Sequence, residues 1–357
     1  MKPLLVVLAI LALAPPVAMS EPAQRELLIF GAGELAKTSG EQAEVDIDHE
    51  RIAADVIFSV QKGRAKLFGE YLLANHEHDL ERLQVGWEPT EGSVIWLGRF
   101  HQASSVWNHE HHHGQFLQTS ITRPAAEEWE DEGGIIPQHF VGLLAESSWH
   151  AGAHGGVRAA FGGGIAPVIT PNGLEPFDLL EPNIRRHKLG FQARLAWLPD
   201  ELGDTGVGLV FAHNEIAWRD APRAAPADFD HIDQTVIGAY TNLEAYDWKI
   251  HAAVYRVQAD LSEHGGLNAR NSFLTGYLQV ERSLSHGVEV FFRREDTGNA
   301  ESAAYLRLFP NFVTWRSSVG TRWQFARQHA LSIQVGDSHT MHDRYREFRL
   351  QWSAALL

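Results

Sequence analysis

The sequence predicts an all-β protein, a transmembrane antiparallel β-barrel of about sixteen strands. Three observations carry that expectation. Apolar residues recur with period two from about Val45 onward. Short and long connections between these runs tend to alternate. After the N-terminus, no stretch approaches the roughly 18 uninterrupted apolar residues of a spanning helix.

Taken in chain order, the first element is a targeting segment. Lys2 supplies charge, Leu4 to Leu13 an apolar run, and Ala18-Met19-Ser20 a small-x-small cleavage site before Glu21. The run is too short to span a bilayer, so residues 1–20 read as a secretory signal peptide. No linker-like composition shift or low-complexity tract divides the rest, so 21–357 reads as one domain. Leu27 to Ala36 is the first strand of a sixteen-strand count; without it the count is fourteen. Further on, Leu189, Phe191, Ala193, Leu195 and Trp197 alternate with Lys188, Gly190, Gln192 and Arg194. Tyr246 to Tyr255 and Val313 to Phe325 alternate in the same way. Successive strand side chains point to opposite faces, so each run has one apolar and one polar face.

Tight turns fall at Gln61-Lys62-Gly63, Thr90-Glu91, His150-Ala151-Gly152, Ser285-His286 and Gln328-His329. Between them lie longer segments, 102–137, 166–185, 217–229, 258–269 and 298–311. Short turns on one side and long loops on the other are the asymmetry of outer-membrane barrels, and an even strand count puts both termini in the periplasm. Eleven tryptophans fit the aromatic girdles of such a barrel. A secreted β-sandwich or β-helix also alternates, but it would not need polar residues on the enclosed face of nearly every strand.

Composition narrows the chemistry. The absence of cysteine excludes disulfides and thiolate metal sites. A formal charge of −15 argues against nucleic acid and against docking on anionic lipid. If the apolar faces meet outer-membrane lipid, the opposite positions line the lumen: Lys66, Arg82, Arg99, Lys188, Arg194, Lys249, Arg293, Arg316, Arg322 and Arg349. Acidic residues of the same parity are fewer: Glu70, Glu88, Glu146, Asp247, Glu281 and Glu289. Arg and Lys rings favour anions, whereas mixed charges that hold one another would only keep a pore wet; a single register slip would swap the list.

A histidine-crowded segment runs from His101 to His139 and includes His109, His111, His112 and His113, followed by carboxylates at Glu127, Glu128, Glu130, Asp131 and Glu132. Imidazole and carboxylate suit zinc, copper or nickel. His109, His111, His112, His113 and His139 are therefore candidate metal ligands, although no cofactor is required. His109-Glu110-His111-His112-His113 also matches H-E-x-x-H, the helical zinc motif of metallopeptidases. That match means little where four of five residues are histidine, and Gly114 ends any helix after one turn. The bland alternative is that the histidines pin the segment to the wall or titrate together near pH 6. Arg99 and Arg123 are candidate partners for the 127–132 carboxylates.

With these runs assembled, the chain resembles Gram-negative outer-membrane porins, particularly the sixteen-stranded phosphate-selective type. The resemblance is one of pattern over most of 21–357, and its most familiar stretch is Val94-Ile95-Trp96-Leu97-Gly98-Arg99-Phe100, a strand ending in Gly-Arg before the long third loop. It implies that loop 102–137 folds inward and narrows the pore, with Arg99, His101, Arg123, Glu130 and Asp131 at the constriction. It further implies passive diffusion of small hydrophilic solutes and a homotrimer; the His-rich loop adds the expectation that transition-metal ions are bound or admitted, and no enzymatic activity is expected. One departure is the C-terminus: such barrels usually finish on an aromatic residue, whereas this chain ends Trp352-Ser353-Ala354-Ala355-Leu356-Leu357. A metal-dependent outer-membrane enzyme and a non-conducting structural or adhesive barrel are the readings of a different class.

Overall fold

A computed structural model describes residues 23–40, 49–75, 78–111, 115–128, 130, 133–152, 155–170, 173–180, 187–200, 205–218, 229–263 and 268–356. The segment read as a signal peptide, His112, His113 and Asp131 lie outside the described residues.

One antiparallel sheet closes on itself. Strand β1 (Gln24–Ser39) pairs with β2 (His49–Lys62) on one side and β18 (Arg344–Leu356) on the other. The wall continues through β3 (Ala65–Ala74), β4 (His78–Thr90), β5 (Ser93–His101), β6 (His139–His150) and β7 (Gly156–Ile165). It then passes to β10 (Leu189–Leu198), β11 (Gly206–Trp218), β12 (Phe229–Ala245), β13 (Trp248–Glu263) and β14 (Asn268–Ser283). The last quarter is β15 (Val288–Thr297), β16 (Trp315–Ala326), β17 (His329–His339) and β18. A short hairpin, β8 (Val168–Thr170) and β9 (Gly173–Glu175), belongs to the connection between β7 and β10, which pair directly across it. Setting the hairpin aside leaves sixteen wall strands, the larger of the two counts the sequence allows.

The connections at 63–64, 91–92, 151–155, 199–205, 246–247, 284–287 and 327–328 share one end of the barrel with Gln24 and Leu356. Two of these, 199–205 and 246–247, escape the sequence reading. Tyr246 takes a left-handed φ of 57° and opens a two-residue turn, so the apparent run from Tyr246 joins a turn to β13. Asp247 is accordingly a turn residue, not a wall carboxylate. At this same end Trp87, Trp149, Trp197, Trp248, Trp323 and Trp352 are all exposed on the outer wall. They form a girdle where an amphipathic ring is most stable, between hydrocarbon and water.

The opposite end breaks the expected pattern. On the loop-side halves of β11, β12 and β13 the enclosed face is mostly apolar: Ala212, Ile216, Ile232, Val236, Val257 and Leu261 are buried, with Asn214 and Gln234 between them. The outer positions that alternate with them include Glu215, Asp233, Arg256 and Asp260. The expectation of a polar enclosed face on nearly every strand fails here for a physical reason. These strands are long, 13 to 17 residues, and with polar outer positions their ends stand above the apolar band. Inside them the wall meets protein, not water. Tyr305, Leu306, Phe309 and Phe312, from the 298–314 connection, pack against this face together with Ile135 and Ile136 from the third loop. The loop-side part of the lumen therefore holds a packed hydrophobic core.

Candidate pore constriction and its anchors

Loop 102–138 leaves from His101 and returns at His139, which are register partners across β5 and β6. Gln102 N donates to Gln138 O at 2.6 Å, closing its neck. Just inside is a short helix, Val106–His111. Glu127 organises its start, accepting from Trp107 N at 2.7 Å and Ser105 Oγ at 3.0 Å, while the Tyr255 hydroxyl of β13 donates to its other oxygen at 2.6 Å. Asn108 Nδ2 donates to Glu127 O at 2.8 Å, and the Arg123 guanidinium donates to Asn108 Oδ1. The two halves of the loop are thus tied to each other and to the wall.

The far end of the loop crosses to β14–β17. Thr119 Oγ1 donates to Glu281 at 2.6 Å, Ile121 N to Gln334 Oε1 at 2.9 Å, and Ala125 N to Glu295 Oε2 at 2.6 Å. Arg293 donates to Ser120 Oγ at 3.0 Å, Thr122 O at 2.8 Å and Arg123 O at 3.1 Å, as well as to the Thr122 hydroxyl. Arg316 also donates to Arg123 O, and Arg322 Nη2 donates to Phe116 O at 2.9 Å. These wall groups alternate with exposed Phe292, Val319 and Ile333, so they face inward. A segment bonded to them and to Tyr255 lies inside the barrel.

The remaining basic wall residues are paired. Lys66 meets Glu88 at 3.0 Å, and Arg82 meets Glu70. Lys249 reaches Glu289 at 3.5 Å, and Arg322 shares that carboxylate at 3.1 Å. Arg293 and Arg316 share Glu295, while Arg349 sits between Glu34 at 2.7 Å and Glu347 at 3.0 Å. Lys188 stands just before β10 at the loop end, half exposed and 3.6 Å from Glu215. Arg194 contacts His109 Nε2 at 2.6 Å. Lys66, Arg82, Lys249, Arg293, Arg316, Arg322 and Arg349 thus each lie beside a wall carboxylate, whereas Lys188 meets a carboxylate of the outer face and Arg194 a histidine.

The two described histidines of the run, His109 and His111, sit in different surroundings. His109 lies against Arg194, whereas His111 packs on Trp107 with ring centroids 4.5 Å apart and faces His251 at 5.8 Å. His112 and His113 lie outside the described residues, and with them the second half of the H-E-x-x-H match. Of the expected carboxylate partners, Arg99 is 1% exposed and donates instead to Asp79 at 2.8 Å, while Arg123 bonds Asn108 and its charge also acts on Glu127. Glu130 turns to the loop neck, accepting from Gln138 N at 2.7 Å and lying 2.8 Å from His139 Nδ1. Around that neck, Glu81, His101 and His139 place ligand-type atoms within 4.8 Å of one another. Glu81 is the member that sequence reading misses.

Beneath the loop, at the short-turn end, a cavity of about 560 Å³ is lined by Trp107, His111, Phe116, Lys249, His251, Glu281, Glu289 and Arg322 among others. A second, of about 180 Å³, is lined by His109, Arg158, Arg194 and Tyr240. Water and small solutes fit both.

Burial pushes the Glu127 carboxyl up to about 7, only partly offset by the donors of Tyr255, Trp107 and Ser105. Below the unfolded value near 4.5 both states hold the proton. Between there and 7 only the folded loop holds it, so stability falls as pH rises through that window. The full loss is on the order of 3 kcal/mol at alkaline pH. Thermal melts from about pH 5 to about pH 8 should show this decline, and Glu127→Gln should flatten it. An unchanged slope in the variant would remove Glu127 as the titrating group.

No family model matches the chain, and no curated protein matches its sequence. Solved structures do match in fold. The in-vitro folded outer-membrane protein OmpT of Vibrio cholerae aligns over 96% of this chain and 100% of its own, at 9% identity and a TM-score of 0.62. The outer-membrane channel DcaP of Acinetobacter baumannii covers the same shares at 10% identity and 0.59. An anion-selective porin from Comamonas acidovorans covers 94% of this chain and 100% of its own, at 10% identity and 0.57. The fold is that of the outer-membrane porins. Neither a family model nor a sequence match supports the phosphate-selective type in particular.

Proposed function

We propose that the chain is a channel of the Gram-negative outer membrane through which small hydrophilic solutes diffuse passively, with loop 102–138 as its constriction. The observation that carries this reading is the loop itself, folded inside a closed barrel and bonded to inward-facing groups of β13–β17. The tryptophan girdle and the mostly apolar outer band fit a lipid setting, and the neighbours in fold are outer-membrane proteins. The long loops face outward and the short turns face the periplasm on this reading. One neighbour is recorded in a trimer form, and a homotrimer is the assembly we propose here.

Paired wall charges argue for weak selectivity. Arg293, Arg316, Arg322 and Arg349 each lie against a carboxylate, so this part of the wall presents little unbalanced charge to a passing ion. Planar-bilayer recording of the purified protein should give discrete conductance steps, with a reversal potential well short of the Nernst limit in a salt gradient. Absence of steps from folded, inserted protein would refute the channel; a near-Nernstian potential of either sign would refute weak selectivity.

A further inference from the structure

We propose that Glu81, His101 and His139 form a transition-metal site of the zinc class that clasps the constriction loop at its neck. The inference depends on the placement of the loop and not on conduction. His101 and His139 are the residues at which the loop begins and ends, and they face each other across the β5–β6 register. Their rings lie 4.9 Å apart, edge to face, and both are 4% exposed. Glu81, 3% exposed, places a carboxylate oxygen 2.9 Å from His139 Nε2. A metal bound at tetrahedral distances needs its ligand atoms about 3.4 Å apart, with bonds of about 2.0–2.1 Å. Atoms already within 4.8 Å reach that spacing by rotamer adjustment, with no strand movement.

Two further features suit a metal. His139 Nδ1 lies 2.8 Å from Glu130, itself held by the backbone N–H groups of Gln138 and His139. A carboxylate on the distal ring nitrogen fixes the tautomer that leaves Nε2 as ligand, and raises its basicity. The second feature is charge. Arg99 and Asp79 balance each other nearby. A divalent cation that takes the place of a proton on the ligating imidazole nitrogen is balanced by the two carboxylates, Glu81 and Glu130, in this buried site. Two imidazoles with one carboxylate select zinc, cobalt, nickel or copper over magnesium and calcium, whose preferred ligands are all oxygen.

The test is a Co²⁺ titration of the full-length folded protein in detergent, followed by visible absorption and competed with Zn²⁺. One equivalent should bind with the intense bands of a low-coordinate site, and Zn²⁺ should displace it. His101→Ala and Glu81→Gln should abolish those bands, and Glu130→Gln should weaken binding by about tenfold or more. Changing His109, His111, His112 and His113 together to alanine should leave them intact. Strand circular dichroism on each variant establishes folding, and the near-isosteric Glu81→Gln serves if His101→Ala fails to fold. Absence of a stoichiometric Co²⁺ signal, or its loss only in the fourfold variant, would overturn the proposal. The optical signal needs no conductance, so a missing conductance step in Co²⁺-loaded protein would count against the channel alone.

Discussion

Arg293→Ala should free the constriction loop and raise single-channel conductance. Arg293 is fully buried and donates to three residues of the loop as well as to Glu295 at 2.8 Å and Gln279 at 3.1 Å. Its removal leaves Glu295 buried with half its compensating charge, and unpairing a buried ion pair costs about 3–5 kcal/mol. The strand ladder does not run through the side chain, so the barrel remains and the cost falls on the loop. Arg293→Lys keeps the charge but loses the fork that reaches several acceptors at once, and should lie between the two. Bilayer conductance together with protease nicking of the loop measures the effect. Wild-type values in both for Arg293→Ala would remove this residue as an anchor.

Tyr305→Ala should have a comparable effect from the other side of the lumen. The Tyr305 hydroxyl donates to Ile135 O at 2.8 Å and accepts from Gln234 Nε2 at 2.7 Å, while its ring packs 5.0 Å from that of Phe309. It is the point at which the 298–314 connection, the third loop and the wall meet. Truncating a buried aromatic side chain costs about 3–5 kcal/mol, and the space left behind lies in the loop-side core. Tyr305→Phe removes only the hydroxyl, about 1 kcal/mol, because Gln234 also donates to Ile135 O at 2.8 Å. Thermal melts should separate the two variants, and only the alanine variant should conduct more. Equal behaviour would mean that the hydroxyl, not the packing, holds the core together.

The barrel was legible because its physics is local and repetitive. Alternation in runs such as Leu189 to Trp197 reports which face meets lipid, and glycine-bearing or polar breaks report the turns. The Tyr246-Asp247 turn escaped because its residues continue the alternation on either side. The apolar inner face of β11–β13 escaped because a strand that packs against loops shows the same period as one facing lipid, with the faces exchanged. A hint was present: Tyr305, Leu306, Phe309 and Phe312 are too apolar for a connection left in water.

At the candidate site the ligand-type group that the structure brings together, Glu81 with His101 and His139, includes the two histidines that bound the expected loop and one residue outside it. Residues two apart on a helix lie on nearly opposite faces, so His109 and His111 reach different walls, whereas His101 and His139 meet because strand register sets them opposite each other. Glu81 owes its place to an irregularity in the β3–β4 register between Glu70 and Tyr71. An extra residue of this kind changes side-chain direction without a sequence mark of its own.

The grip of β15–β17 on the loop has a consequence for how the molecule comes to exist. Arg293 bonds a residue 171 positions earlier in the chain, and Arg316 one 193 positions earlier. The entropy of closing such spans grows only logarithmically with length, but contacts this distant form late. The groups that hold the loop arrive with the last strands of the sheet, next to the β1–β18 seam. Assembly is therefore ordered: the loop has to be lying across the unfinished wall before those strands close over it, so the constriction is built in during closure rather than inserted afterward.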